Sequence, residues 1–146
     1  MGASTTERYS VELHVGRLVE ARVFRLSTVE DVDEYIATIG SEVARLATPT
    51  GAVLVADHRP AHLYAQPVSE RLVELFQVMN TRLARVAIVT GTEKATFYMQ
   101  LRRIVREAGY EARQVFHDTP PALVHLAVVL SPEELERARE FLEAYP

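Results

Sequence analysis

The sequence predicts an α/β fold in which a mixed sheet is flanked by helices, in the element order ββαβαβαβαα. Three observations carry this. Two stretches of period-two hydrophobicity meet at Gly16, which marks an N-terminal hairpin. Two short apolar runs without polar alternation, 52–56 and 86–89, read as strands buried on both faces. Between them lie segments whose apolar residues recur every three or four positions, the helical period. Alternating β and α units after a hairpin imply parallel pairing over the last three strands, with helices packed against the sheet.

Each element has its own signal. Val11, Leu13 and Val15 alternate with Glu12 and His14, and residues 18–26 resume the β pattern after Gly16 and Arg17. Ser27 with Glu30 predicts a capping box, with Thr28 as the alternative cap, for a helix whose inner face is Val29, Val32, Ile36, Ile39, Val43 and Leu46. That helix ends before Thr48, Pro49, Thr50 and Gly51, a breaker cluster. Residues 57–67 hold two prolines and two histidines and read as a loop. Leu72, Leu75, Phe76, Met79 and Leu83 define the second helix. Thr92 is the expected cap of the third, which carries Phe97, Leu101, Ile104, Val105 and Ala108 inward and stops at Gly109. Residues 112–117 form the last strand. Asp118 caps a fourth helix that starts at Pro120 and Pro121 and runs through Leu130. Ser131, Pro132 and Glu134 supply cap, first-turn proline and capping-box acid for a fifth over 132–145. Its inner face is Leu135, Ala138, Phe141, Leu142 and Tyr145, and it is expected to pack on its own domain.

With 146 residues, 48% hydrophobic and 25% charged, the chain is long enough to bury a core in one domain and too apolar for wholesale disorder. No repeat or linker divides it, so 9–146 is expected to be a single domain and 1–8 a flexible N-terminus. It contains no cysteine, which removes disulfide scaffolds, thiolate metal sites and thiol catalysis. No apolar run approaches a membrane span and the start has no signal-peptide pattern, so a cytoplasmic protein is expected. A net charge of −4 argues against a phosphate-binding face and hence against nucleic acid. The densest basic stretch, Arg102, Arg103 and Arg106, is flanked by Glu107 and Glu111 and reads as a solvated helix face.

Motifs for chemistry are sparse. His58 and His62 are four apart, but Pro60 lies between them and no His-Glu-x-x-His pattern exists, so no metal site is expected. His117 and Asp118 are adjacent on a strand and face opposite ways. There is no Gly-x-Ser-x-Gly elbow before Ser69 and no glycine-rich phosphate loop. No catalytic residue and no cofactor is therefore assigned. The loop after the central strand concentrates the residue types of recognition: Arg59, His62 and Tyr64 follow Asp57 and His58 closely.

Residues 9–130 resemble a STAS-like domain of the SpoIIAA-like fold, in the STAS/SEC14-like group. The hairpin with Gly16, Ser27 to Asp31, Val53 to Asp57, Arg85 to Val89, and Arg113 to Leu126 carry the resemblance through their order. His125 stands where the family's final helix has a Trp. The phosphorylatable Asp-Ser-Ser-Gly motif is replaced by Ala65, Gln66, Pro67 and Val68, and Ser69 is off register. The resemblance implies a non-catalytic regulatory or protein-interaction module, recognising a protein partner or a second copy through residues 58–72. The candidate binding residues are His58, Arg59, His62, Tyr64 and Ser69. The SEC14 side implies an alternative, a carrier or sensor of an apolar small ligand held between sheet and helix; a small-molecule enzyme comes third.

Overall fold

The computed structural model describes residues 7–146. Its elements are β1 (Tyr9–Val15), β2 (Leu18–Val23), α1 (Val29–Ala44), a 3-10 turn (Pro49–Gly51), β3 (Ala52–Asp57), α2 (Gln66–Met79), β4 (Leu83–Val89), α3 (Ala95–Ala108), β5 (Arg113–Phe116), α4 (Thr119–Ala127) and α5 (Pro132–Glu143). This is the expected ββαβαβαβαα order. The strands lie side by side in sequence order, β1-β2-β3-β4-β5. Only β1 and β2 pair antiparallel; β2, β3, β4 and β5 are mutually parallel, one strand more than the sequence pattern implied.

Sequential order has a geometric consequence. Right-handed crossovers that all step in one direction put every connecting helix on the same face. Accordingly α1, α2 and α3 pack with Val19, Ala21, Leu54, Ala56, Val86 and Ile88 in one core layer. The other face, carrying Leu18, Val53, Val55, Ala87 and Val89, is left to α4 and α5, which cover it through Ala122, Leu126, Ala138, Phe141 and Leu142. Alternation along each strand feeds both layers, which is why β3 is buried at all six positions.

Several boundaries move for local reasons. The first helix is capped by Thr28 with Asp31 rather than Ser27 with Glu30, since one Asp31 oxygen accepts from both the Ser27 and Thr28 amides at 2.8 and 3.1 Å. Leu83 opens β4 instead of closing α2, because the chain turns at Asn80 to Arg82. Thr92 does not cap α3; that place falls to Lys94, whose side chain is used elsewhere. Asp118 caps α4, which stops at Ala127, and the box of Ser131 and Glu134 caps α5 as read. Gly16 sits at φ +55° in the hairpin turn, where a Cβ would overlap the Glu134 carboxylate. Glu134 thereby reaches across to accept from the Arg17 amide at 2.9 Å, fastening α5 to the hairpin. Of the N-terminus expected to be flexible, residues 1–6 lie outside the described residues. Arg8 is held: its carbonyl accepts from the Phe24 and Arg25 amides, and its guanidinium pairs with Asp31 at 2.7 Å.

Candidate functional site

In parallel sheets, side chains that meet ligands gather beyond the C-terminal strand ends. Here that place is the end of β3, where Asp57 and His58 point to opposite faces. The β2–β3 register sets Arg22 beside Asp57. The Asp57 carboxylate, fully buried, accepts from Arg22 Nε at 2.9 Å, from Arg59 Nε at 2.8 Å and from the Arg59 amide at 3.0 Å. Burial acts to raise its pKa, but the two guanidiniums and the amide outweigh it and hold the carboxyl below its usual range. The last turn of α5 closes this group: Arg22 donates to the Phe141 carbonyl at 2.5 Å and Arg59 to the Leu142 carbonyl at 2.6 Å. Arg22 also stacks over the Phe141 ring at 4.0 Å, and Arg59 over Tyr145 at 5.2 Å.

On the opposite face His58 enters an aromatic cage of Tyr35, Tyr64 and Phe97. Its Nδ1 meets the Tyr64 hydroxyl at 2.7 Å, while Nε2 is buried with no hydrogen-bond partner among the described residues. Desolvation pushes the His58 pKa down to about 4, so the ring is neutral at pH 7, and burial raises Tyr64 well above an ordinary phenol. Tyr35, Ile36, Phe76, His58 and Arg113 help line an interior cavity of about 10 Å³, room for no more than one water.

The loop from 58 to 65 has little regular structure yet is tied down from α3. Lys94 Nζ donates to the carbonyls of Arg59 and Ala61 at 2.5 and 2.6 Å. Gln100 brackets the Tyr64 backbone, accepting from its amide at 2.9 Å and donating to its carbonyl at 2.8 Å. Between the tethers His62 and Leu63 stand exposed, Leu63 at 56%. Shallow hollows flank them, one against Phe24 to Ser27 and one against the start of α3.

The five residues singled out from sequence thus separate. His62 alone is on the surface. His58, Tyr64 and Ser69 are buried and do not meet a partner directly in this conformation, whereas Arg59, engaged with Asp57, still lines an open hollow with Lys94, His117 and Tyr145. The sequence reading missed Arg22, Lys94 and Gln100, which reach the site from other elements. Only Arg22 left a trace, as a charge in the polar slot of a strand. A second group also escaped it: Glu12, His14 and Glu20 bring one ligand-type atom each within 4.8 Å of one another across the hairpin. There His14 Nε2 already bonds Glu12 at 2.7 Å, and both Glu20 oxygens accept from Arg137 at 2.6 and 2.8 Å.

No protein-family model and no curated protein sequence matches the chain. Among solved structures it is similar to an uncharacterized protein of the DUF3478 family from Shewanella loihica PV-4, described as having a SpoIIAA-like fold. The two share 16% identity over 84% of this chain and 94% of that one, with a TM-score of 0.59. At such identity the likeness is one of architecture, and it agrees with the sheet order and helix placement described above: the chain has a SpoIIAA-like fold.

Proposed function

We propose that the protein is a non-catalytic, regulatory protein-interaction module that presents the 58–65 loop to a partner protein. The observation that carries this reading is the tethering of an exposed leucine. Leu63 projects from a backbone fixed by Lys94 on one side and Gln100 on the other. A fixed loop loses little entropy on binding, and an apolar side chain between two hollows offers an anchor. The charged groups nearby favour binding over catalysis. Asp57, Arg22, Arg59 and Lys94 are consumed by one another or by backbone carbonyls, whereas a general base needs a free acceptor within reach of substrate. Ser69 lies buried, so phosphorylation there has no part in the reading. A photo-crosslinking residue at position 63 should capture a discrete protein partner in the producing cell, and one at exposed Val78 should not. Equal labelling at both positions, or none at 63, counts against the loop.

A second reading is a carrier or sensor of an apolar small ligand. The cavity between the sheet and α1/α2 is lined almost entirely by carbon, with His58 as a polar handle, but at about 10 Å³ it would take such a ligand only if the helices moved off the sheet. Organic extraction of freshly purified protein followed by mass spectrometry would recover a stoichiometric apolar compound under that reading and none under the first.

A further inference from the structure

A helix on the surface of a folded domain turns its polar residues to water and its apolar stripe to the core. α4 (Thr119–Ala127) does not. From 120 to 130 the chain holds one polar side chain, His125, and its ring is turned inward, with Nε2 3.0 Å from the Ala112 carbonyl and 3.1 Å from that of Val86. The outer side is left to Pro120, Pro121, Val124, Ala127 and Val128, all exposed, Val124 at 70% and Val128 at 68%. Their spacing of three and four residues makes them one stripe. Among the described residues the other exposed large apolar side chains, Leu63, Val78 and Met99, stand singly on the 58–65 loop, α2 and α3. Single exposed apolar residues are ordinary, whereas a contiguous apolar patch marks an interaction surface.

The two ends of the stripe indicate what fits it. At its start the Asp118 carboxylate accepts from the Thr119 amide at 2.8 Å, and in its last turn the His125 carbonyl accepts from Arg85 Nε at 2.6 Å. Among the described residues neither Asp118 nor Arg85 has an ion-pair partner. An uncharged stripe with an acid at one end and a base at the other is complementary to itself when run antiparallel about a twofold axis. We infer that the outer face of α4 is a homodimer interface, in which two α4 stripes cross near Val124 and Asp118 of each copy approaches Arg85 of the other. Glu133 also lies exposed just beyond α4, so apolar contact supplies most of the attraction and the charged ends set its direction. One helix stripe covers less than the about 800 Å² per partner of a standard interface, so the dimer is concentration-dependent rather than obligate. A lipid surface fits less well, because the stripe carries neither an aromatic anchor nor a flanking row of cations. This surface is independent of the 58–65 loop.

Sedimentation equilibrium over a concentration series should show a dimer whose fraction rises with concentration. V124E/V128E should raise its dissociation constant by at least about tenfold, since it sets four carboxylates against one another across the axis. Both side chains are at the surface, so circular dichroism and the urea midpoint of that variant at low protein concentration should match wild type. The chain has no cysteine, so Val124→Cys places a single thiol beside the proposed axis. With oxidised glutathione it should form a disulfide-linked dimer at least about tenfold faster than Val78→Cys, a control 61% exposed on α2. Leu63→Asp should leave the dimer unchanged, which separates this surface from the loop. A monomer at every concentration, a dimer that ignores V124E/V128E, or equal cross-linking at 78 and 124 would each overturn the inference. So would a monomer that floats with phosphatidylcholine vesicles unless V124E/V128E is present, which would give the stripe to lipid.

Discussion

Asp57 and His58 are neighbours in the chain with opposite electrostatic fates, and pH separates them. The depressed Asp57 carboxyl contributes stability above its ordinary value of 3.8, lost as pH falls through its lower folded value. His58 acts in the same direction, but in a higher pH window. Its folded pKa is about 4 against 6.5 unperturbed, so protons bind the unfolded chain more readily between those values. Stability should fall by about 3 kcal/mol from this residue as pH drops from 6.5 to 4, then level off. Urea denaturation of wild type and His58→Gln across that window checks it; parallel profiles would remove His58 as the source. Adjacent loop positions make a sharper contrast. Tyr64→Ala opens the aromatic cage and strands the His58 ring, and should cost about 3 kcal/mol or more. Leu63→Ala, at the surface, should stay within about 0.5 kcal/mol. Similar losses for both would mean the loop is not anchored as described.

At the scale of elements, α5 is the part whose role changes most once its surroundings are seen. It is not an appendage: Ala138, Phe141 and Leu142 complete the second core layer. Its last carbonyls also satisfy Arg22 and Arg59, and its Arg137 neutralises Glu20, a carboxylate 1% exposed in the middle of β2. Phe141→Ala should cost about 3 kcal/mol or more in denaturant unfolding, with an unchanged elution volume on gel filtration. A dimer-to-monomer shift with full stability would instead place Phe141 between subunits. Removing Arg137 alone leaves the buried Glu20 carboxylate unpaired in the core, while replacing both by Leu removes the charge as well. Arg137→Ala should therefore cost about 3–5 kcal/mol and the double Leu variant far less.

Across the whole molecule, protection should follow depth in the sheet. β3 and β4 have a strand on each side and helices over both faces, whereas among the described residues β1 and β5 each pair with a strand on one side only. Native-state hydrogen exchange should therefore be slowest in 53–57 and 86–89 and faster in β5. Slower exchange in β5 than in β4 would mean that the β5 edge is covered in solution. No helix among the described residues is long and apolar enough to cross a membrane.

Elements were legible in the sequence because they are set by local physics. Period-two and helical periodicities, the Asp118 cap and the Ser131 box needed only near neighbours to be read. The choice between Glu30 and Asp31 at the first helix was not legible, since it depends on which carboxylate reaches two amides at once. The helix pair α4 and α5 was visible as helices but not as the cover of the far face, a consequence of crossovers that all step one way. The site was less legible still. Polarity made 58–69 read as surface, whereas Asp57 draws in Arg22 and Arg59, and an aromatic cage draws in His58 and Tyr64. Arg59 is only two positions from Asp57, but Tyr64 and Arg22 lie 6 and 35 positions from their partners, and the Arg22–Asp57 pairing exists only after the strands have set their register. The sequence by itself determined the kind and order of the elements, because local spacing encodes them. Only the tertiary structure decided which polar residues stay on the surface, because a buried charge or ring is tolerable only where folding brings it a partner.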